Sequence, residues 1–139
     1  MKLQAPPLSL YIHIPWCVRK CPYCDFNSHA GQPDEEVYVE ALIADLAADT
    51  GDVSNRPVGS IFFGGGTPSL FSSAAISRIL LAVREQLQLA DDVEITLEAN
   101  PGTADAGHFA GYRAAGVNRL SIGVQSFDDT MLQRLGGIH

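Results

Sequence analysis

Three cysteines, Cys17, Cys21 and Cys24, fall in one short segment with the spacing Cys-x3-Cys-x2-Cys, and the chain has no others. An odd, tightly grouped set makes a poor disulfide framework, because bridging any two leaves a free thiol beside the bridge. Thiolates offered by one loop suit a metal ion or an iron–sulfur cluster. A [4Fe–4S] cluster held by protein alone uses four cysteines. Three leave one iron open to an outside ligand, as a cluster must to bind a substrate rather than only pass electrons. Zinc meets the same spacing if His29 or His13 completes a Cys3His set. The spacing by itself admits both.

The elements that must position these residues follow from periodicity. Strand-like runs occur at Leu8–Ile14, Val58–Phe63, Val93–Leu97 and Arg119–Val124. Between them, Val39, Leu42, Ile43 and Leu46 share one helical face before Gly51. Ile76, Ile79, Leu80, Val83 and Leu87 share another, with Ser72 or Ser73 as N-cap. A shorter helix is expected from about Ala104 to Ala115, stopping at Gly116, and a fourth from near Asp128, carrying Met131, Leu132 and Leu135. Asp34-Glu35-Glu36 opens the first helix, where acidic residues favour the dipole, and is assigned no function. Strand and helix alternating at this spacing predict βαβ units and a parallel sheet.

The unusual residues directly follow the strands or end them. The cysteines follow the first, Gly64-Gly65-Gly66-Thr67-Pro68 the second, Glu98 and Asn100-Pro101-Gly102 close the third, and Gln125-Ser126 the fourth. Loops after parallel strands share one edge of the sheet, where α/β proteins place ligands. Tyr11 and His13 alternate onto one face, as do Thr96 and Glu98, and Ser121, Gly123 and Gln125. That pattern suits a barrel with a polar lumen and helices outside. The expected fold is α/β: the first four βα units of a partial TIM-type barrel. Four units do not close a barrel, so residues 1–139 are expected to be the N-terminal part of a larger domain. The rest of the barrel and any C-terminal domain would lie elsewhere, leaving the fourth strand with an unpaired apolar edge.

Composition narrows the class. The 139 residues carry 9 Lys+Arg against 16 Asp+Glu, a net charge of −7, with 46% hydrophobic and 18% charged residues, as one ordinary globular unit requires. The acidic balance argues against nucleic-acid binding, which needs cationic surface. No apolar run reaches transmembrane length. The uncharged stretch Leu3–Val18 is broken by Pro6, Pro7 and Pro15 and fails as a signal peptide, so a cytoplasmic location is expected.

Several long motifs in order resemble one family. Tyr11-Ile12-His13-Ile14-Pro15, the cysteine segment through Tyr23, Asp25 and Phe26, Phe63-Gly64-Gly65-Gly66-Thr67-Pro68, and Ser121-Ile122-Gly123-Val124-Gln125-Ser126-Phe127 are similar to radical S-adenosylmethionine (SAM) proteins of the oxygen-independent coproporphyrinogen III oxidase group, and within it to the heme chaperones. The resemblance covers about Leu8 to His139. It implies that Cys17, Cys21 and Cys24 hold a [4Fe–4S] cluster and that SAM chelates the open iron. An electron donor would then drive cleavage to a 5′-deoxyadenosyl radical. It further implies that Tyr23 lies against the adenine, that Gly65, Gly66 and Thr67 approach the methionine amino end, and that Tyr11, Glu98 and Gln125 line the SAM region. Phe26 stands where the dehydrogenases have a fourth cysteine. Gly137 replaces an arginine associated in them with a second SAM. Both departures point away from porphyrinogen decarboxylation and from a second SAM site, and Phe26 favours a heme-binding chaperone that delivers heme to acceptor proteins.

Plainer roles stand beside these. Glu98 at a strand end could be solvated or capping, Gln125 could satisfy backbone, and Tyr11 could be a core aromatic with its hydroxyl at the rim. The triple glycine could be a phosphate turn, but no Lys follows it in the P-loop pattern. His13, His108 and His139 read as structural or exposed. Trp16 and Phe26 either shield a cluster or simply pack. An oxygen-independent coproporphyrinogen III dehydrogenase is the alternative function, and a structural zinc module the third.

Overall fold

The computed structural model describes residues 2–53, 55–101 and 106–136. The chain runs through β1 (Leu8–Ile14), β2 (Trp16–Cys17), β3 (His29–Ala30), α1 (Glu35–Asp49), β4 (Val58–Gly65), a 3-10 turn (Pro68–Leu70), α2 (Ser73–Gln86), β5 (Leu89–Ala99), α3 (Ala106–Ala115), β6 (Arg119–Ile122) and α4 (Asp129–Leu135). The four long strands are parallel, in the order β1-β4-β5-β6. This is the βα-alternating architecture expected from the sequence.

Alternation decides which face is covered. Ile12, Phe63, Leu97 and Leu120 occupy one register row, and the first three are buried beneath the helices. Ile61 and Ile95 continue that outer face, packed with Ile76, Ile79, Leu80 and Val83 of α2, Val39 of α1 and Tyr112 of α3. Tyr11, Phe62, Thr96 and Arg119 share a row on the opposite face, and Glu98 lies beside Ser121. Helix starts carry the capping chemistry their sequences offer. Asp34 accepts from Val37 N, Ser72 from Ala75 N and Asp128 from Met131 N.

Strand ends differ from the sequence reading for local reasons. β4 extends to Gly65 because β1 supplies Ile14 as its partner there. β5 begins at Leu89, which pairs with Val58 across an irregularity, so exposed Asp91 and Asp92 do not delay the strand. β6 ends at Ile122, not Val124, because its neighbour β5 stops at Ala99; Gly123 N makes one last bond to Ala99 O, 3.3 Å. The short β2–β3 pair was not foreseen. Residues 104 and 105, the expected start of the third helix, and Gly137 and His139 lie outside the described residues.

Candidate functional site

The cysteine segment is a loop with a closed neck. Trp16 pairs with His29 and Cys17 with Ala30; His29 N donates to Pro15 O at 2.6 Å and Gly31 N to Cys17 O at 3.1 Å. Inside the loop, Cys24 N donates to Cys21 O at 3.0 Å, closing the turn that carries the second and third cysteines. Trp16 anchors the neck to the core. Its ring meets Tyr38 edge-on at 4.7 Å and lies 5.9 Å from Phe71. Trp16 is therefore packing, whereas Phe26 is 69% exposed on the site's rim.

The glycine segment is sewn to the same neck. Gly66 N donates to Ile14 O at 2.8 Å and Thr67 N to Trp16 O at 2.6 Å. A Cβ at Gly66 would stand 2.5 Å from Trp16 O and 3.0 Å from Cys17 Sγ. Gly65 has φ +120°, a conformation that side chains disfavour, and a Cβ there would meet the His13 ring at 2.8 Å. The missing side chains thus first let β4 pack against the approach to Cys17. Thr67 is buried, its Oγ1 accepting from Asn100 Nδ2 at 3.0 Å.

These pieces enclose a cleft of about 340 Å³ at the C-terminal edge of the sheet. Its lining includes Cys17, Cys21, Cys24, Tyr23, Gly65, Gly66, Thr67, Glu98 and Gln125, so nine of the ten expected site residues meet in one place. Tyr11 is not in that lining but stands beside it, near Glu98. Its ring stacks over Phe62 at 6.3 Å and its hydroxyl lies 2.9 Å from His13 Nδ1 on the inner face. Asn100, Ser121 and Arg19 also line the cleft. Strand-end position and the Ser121–Gly123–Gln125 alternation were the signals for the first two; nothing in the sequence singled out Arg19.

Electrostatics follow burial. Burial pushes the Glu98 carboxyl above the ordinary glutamate value, partly offset by Gly65 N–H donating to its Oε2 at 3.3 Å. Tyr23 is raised chiefly by a hydrogen bond with Cys21, then by burial and the neighbouring thiolates. Tyr11 is raised by burial and by the Glu98 charge. His13 is bonded through both ring nitrogens and His108 lies against Tyr112 at 6.2 Å, structural placements for both.

The donor set fits a cluster: three thiols from one loop, one for each of three irons. The three free cysteines all line one cleft. Gly65 and Gly66 line the cleft beside them, their Cβ positions turned into the packed neck and the His13 ring.

A parallel βα sheet with three cysteines on the loop after its first strand and a glycine cradle after its second defines a class. The Radical SAM superfamily profile matches residues 11–139, and the chain belongs to that superfamily, whose cofactors are a [4Fe–4S] cluster and SAM. The chain is 56% identical to the heme chaperone HemW of Haemophilus influenzae over 142 residues, covering 98% of this chain and 37% of that protein. It is 58% identical to heme chaperone HemW of Escherichia coli over 139 residues, covering 99% and 37%. The solved structure described as coproporphyrinogen III oxidase (HemN) from Escherichia coli, a radical SAM enzyme, matches with a TM-score of 0.88 and 34% identity, over 96% of this chain and 31% of that one. The chain thus spans about a third of these relatives' length. The fold is the first four βα units of a partial TIM-type barrel. Among the described residues no helix is long and apolar enough to cross a membrane.

Proposed function

We propose that this chain builds the cluster and SAM site of a cytoplasmic heme chaperone of the HemW type, which binds heme and hands it to acceptor proteins. Residues 1–139 would form the N-terminal part of the radical SAM domain, served by an external electron donor and no nucleic acid. The observation that carries the reading is the composition of the cleft: three thiols line it, and Phe26, in place of a fourth, stands exposed at its rim. The high identity to two HemW chaperones supports it.

Each residue has a task. Cys17, Cys21 and Cys24 would hold the cluster as thiolates. Gly65 and Gly66 would present backbone along the adjacent wall, and Glu98 and Gln125 an acceptor and an amide, to a polar ligand. Tyr23, beside Cys21, offers a half-exposed aromatic face for adenine. When bound, the cofactors supply one-electron cleavage of the SAM sulfonium bond.

The second reading, a coproporphyrinogen III dehydrogenase, is favoured by the match to the HemN structure. Anaerobic reconstitution with iron and sulfide, metal analysis, and EPR with and without SAM test the cofactor site. About four irons per chain and a SAM-sensitive signal are expected. Zinc at one per chain would overturn the site. Heme transfer to an apo-acceptor with no porphyrinogen turnover supports the chaperone; turnover without transfer supports the dehydrogenase.

A further inference from the structure

Three consecutive carbonyls shortly after the third cysteine, those of Phe26, Asn27 and Ser28, each meet a side-chain donor. Lys20 Nζ donates to Phe26 O at 3.1 Å and to Ser28 O at 3.2 Å. Between them, His13 Nε2 lies 2.8 Å from Asn27 O. A carbonyl can only accept, so Nε2 carries the proton, and in the neutral ring Nδ1 accepts from the Tyr11 hydroxyl at 2.9 Å. The two anchors differ in stiffness. Lys20 is a long exposed side chain of the loop itself. His13 stands on β1, paired with Gly64, and its ring packs so close to Gly65 that no Cβ fits between.

We propose that His13 is a positioning residue for the cysteine loop, its Nε2–H fixing Asn27 O from the sheet while Tyr11 sets the tautomer. The link to the ligands is short. Asn27 lies three positions beyond Cys24, and Cys24 Sγ is 3.8 Å from Ser28 Oγ, so residues 26–28 run beside that thiol. Groups that orient metal ligands from behind are worth roughly 10–100-fold in metal affinity. This role also gives Tyr11 a function outside the cleft.

Amide replacements separate this role from general packing. Glutamine places its NH2 near the Nε2 position, and asparagine near Nδ1. His13→Gln should keep the bond to Asn27 O; His13→Asn and His13→Ala should lose it. Two readouts apply to the full chain. In the metal-free protein, trypsin cleavage after Arg19 and Lys20 should quicken about fivefold or more for Asn and Ala, and less than twofold for Gln. After reconstitution, iron should be lost to a chelator about tenfold faster in Asn and Ala than in Gln. The inference rests on the cluster reading only for the iron; the protease readout stands without it. Gln and Asn behaving alike, folded or not, would overturn the proposal.

Discussion

Gly66→Ala is the sharpest test of how the glycine segment supports the cysteines. The added Cβ would lie 2.5 Å from Trp16 O, 2.8 Å from Trp16 C and 3.0 Å from Cys17 Sγ. Two of those atoms are backbone, so no side chain can swing aside. A carbon needs roughly 3.3 Å from a carbonyl oxygen, so β4 and the neck must part by about 0.8 Å. The Thr67 N–Trp16 O bond, now 2.6 Å, would stretch toward roughly 3.4 Å, past useful range. Overpacking costs about 1–3 kcal/mol and the weakened bond about 1 kcal/mol, together about 2–4 kcal/mol. At about 4 °C per kcal/mol, the Tm should fall by roughly 8–16 °C. Iron bound after reconstitution should fall as well, because Cys17 moves with the neck. Gly51→Ala is the matched control: nothing lies within 4 Å and its φ is not positive. It should change stability by no more than about 1 kcal/mol. Differential scanning calorimetry and iron analysis on both variants decide the matter. A Gly66→Ala chain that melts within about 2 °C of the wild type and holds equal iron would refute the argument.

Two further outcomes follow from buried polar groups. Burial raises the Glu98 carboxyl above its ordinary value, so the folded chain holds that proton more tightly than the unfolded chain. Ionisation therefore costs stability as pH rises from the ordinary glutamate range through the raised folded value. Glu98→Gln keeps an acceptor for Gly65 N–H and removes the charge. Its Tm should equal or exceed the wild type near about pH 8, with the difference shrinking toward about pH 4; a variant that gains only at low pH reverses the sign. Tyr112, 1% exposed, offers its hydroxyl to Ser69 O at 2.9 Å and Phe71 O at 2.5 Å. Tyr112→Phe should cost about 1–2 kcal/mol by urea denaturation with an unchanged m-value, and no loss would mean that the hydroxyl contributes nothing there.

Strand and helix existence was legible because each core face repeats at its own period: Ile12 and Ile14 alternate, and Ile76, Ile79, Leu80 and Val83 wind. The cleft was legible because its residues sit directly after strands, and parallel strands bring such loops to one edge. What stayed hidden depends on tertiary pairing. Nothing local in Trp16-Cys17 or His29-Ala30 marks a two-residue ladder; it forms because the loop must return beside β1. Tyr11 shares a face with the site residues, yet face alone does not set where a hydroxyl points, and this one is taken by His13. The glycines carried the right address with a second use, since the closest approach is made by Trp16 backbone within the chain itself.

Trp16 is the only tryptophan in the sequence and directly precedes Cys17. Its indole is held edge-on to Tyr38 while its own peptide carries the first thiol. The chain thus contains a built-in optical probe whose emission reports on one residue's surroundings. A strongly absorbing iron–sulfur centre on the adjacent cysteine would quench that emission by energy transfer, whereas unfolding would shift its wavelength as the ring meets water. Intensity and colour are separate channels, so assembly of the centre can be followed in real time in the unlabelled protein and told apart from loss of the fold.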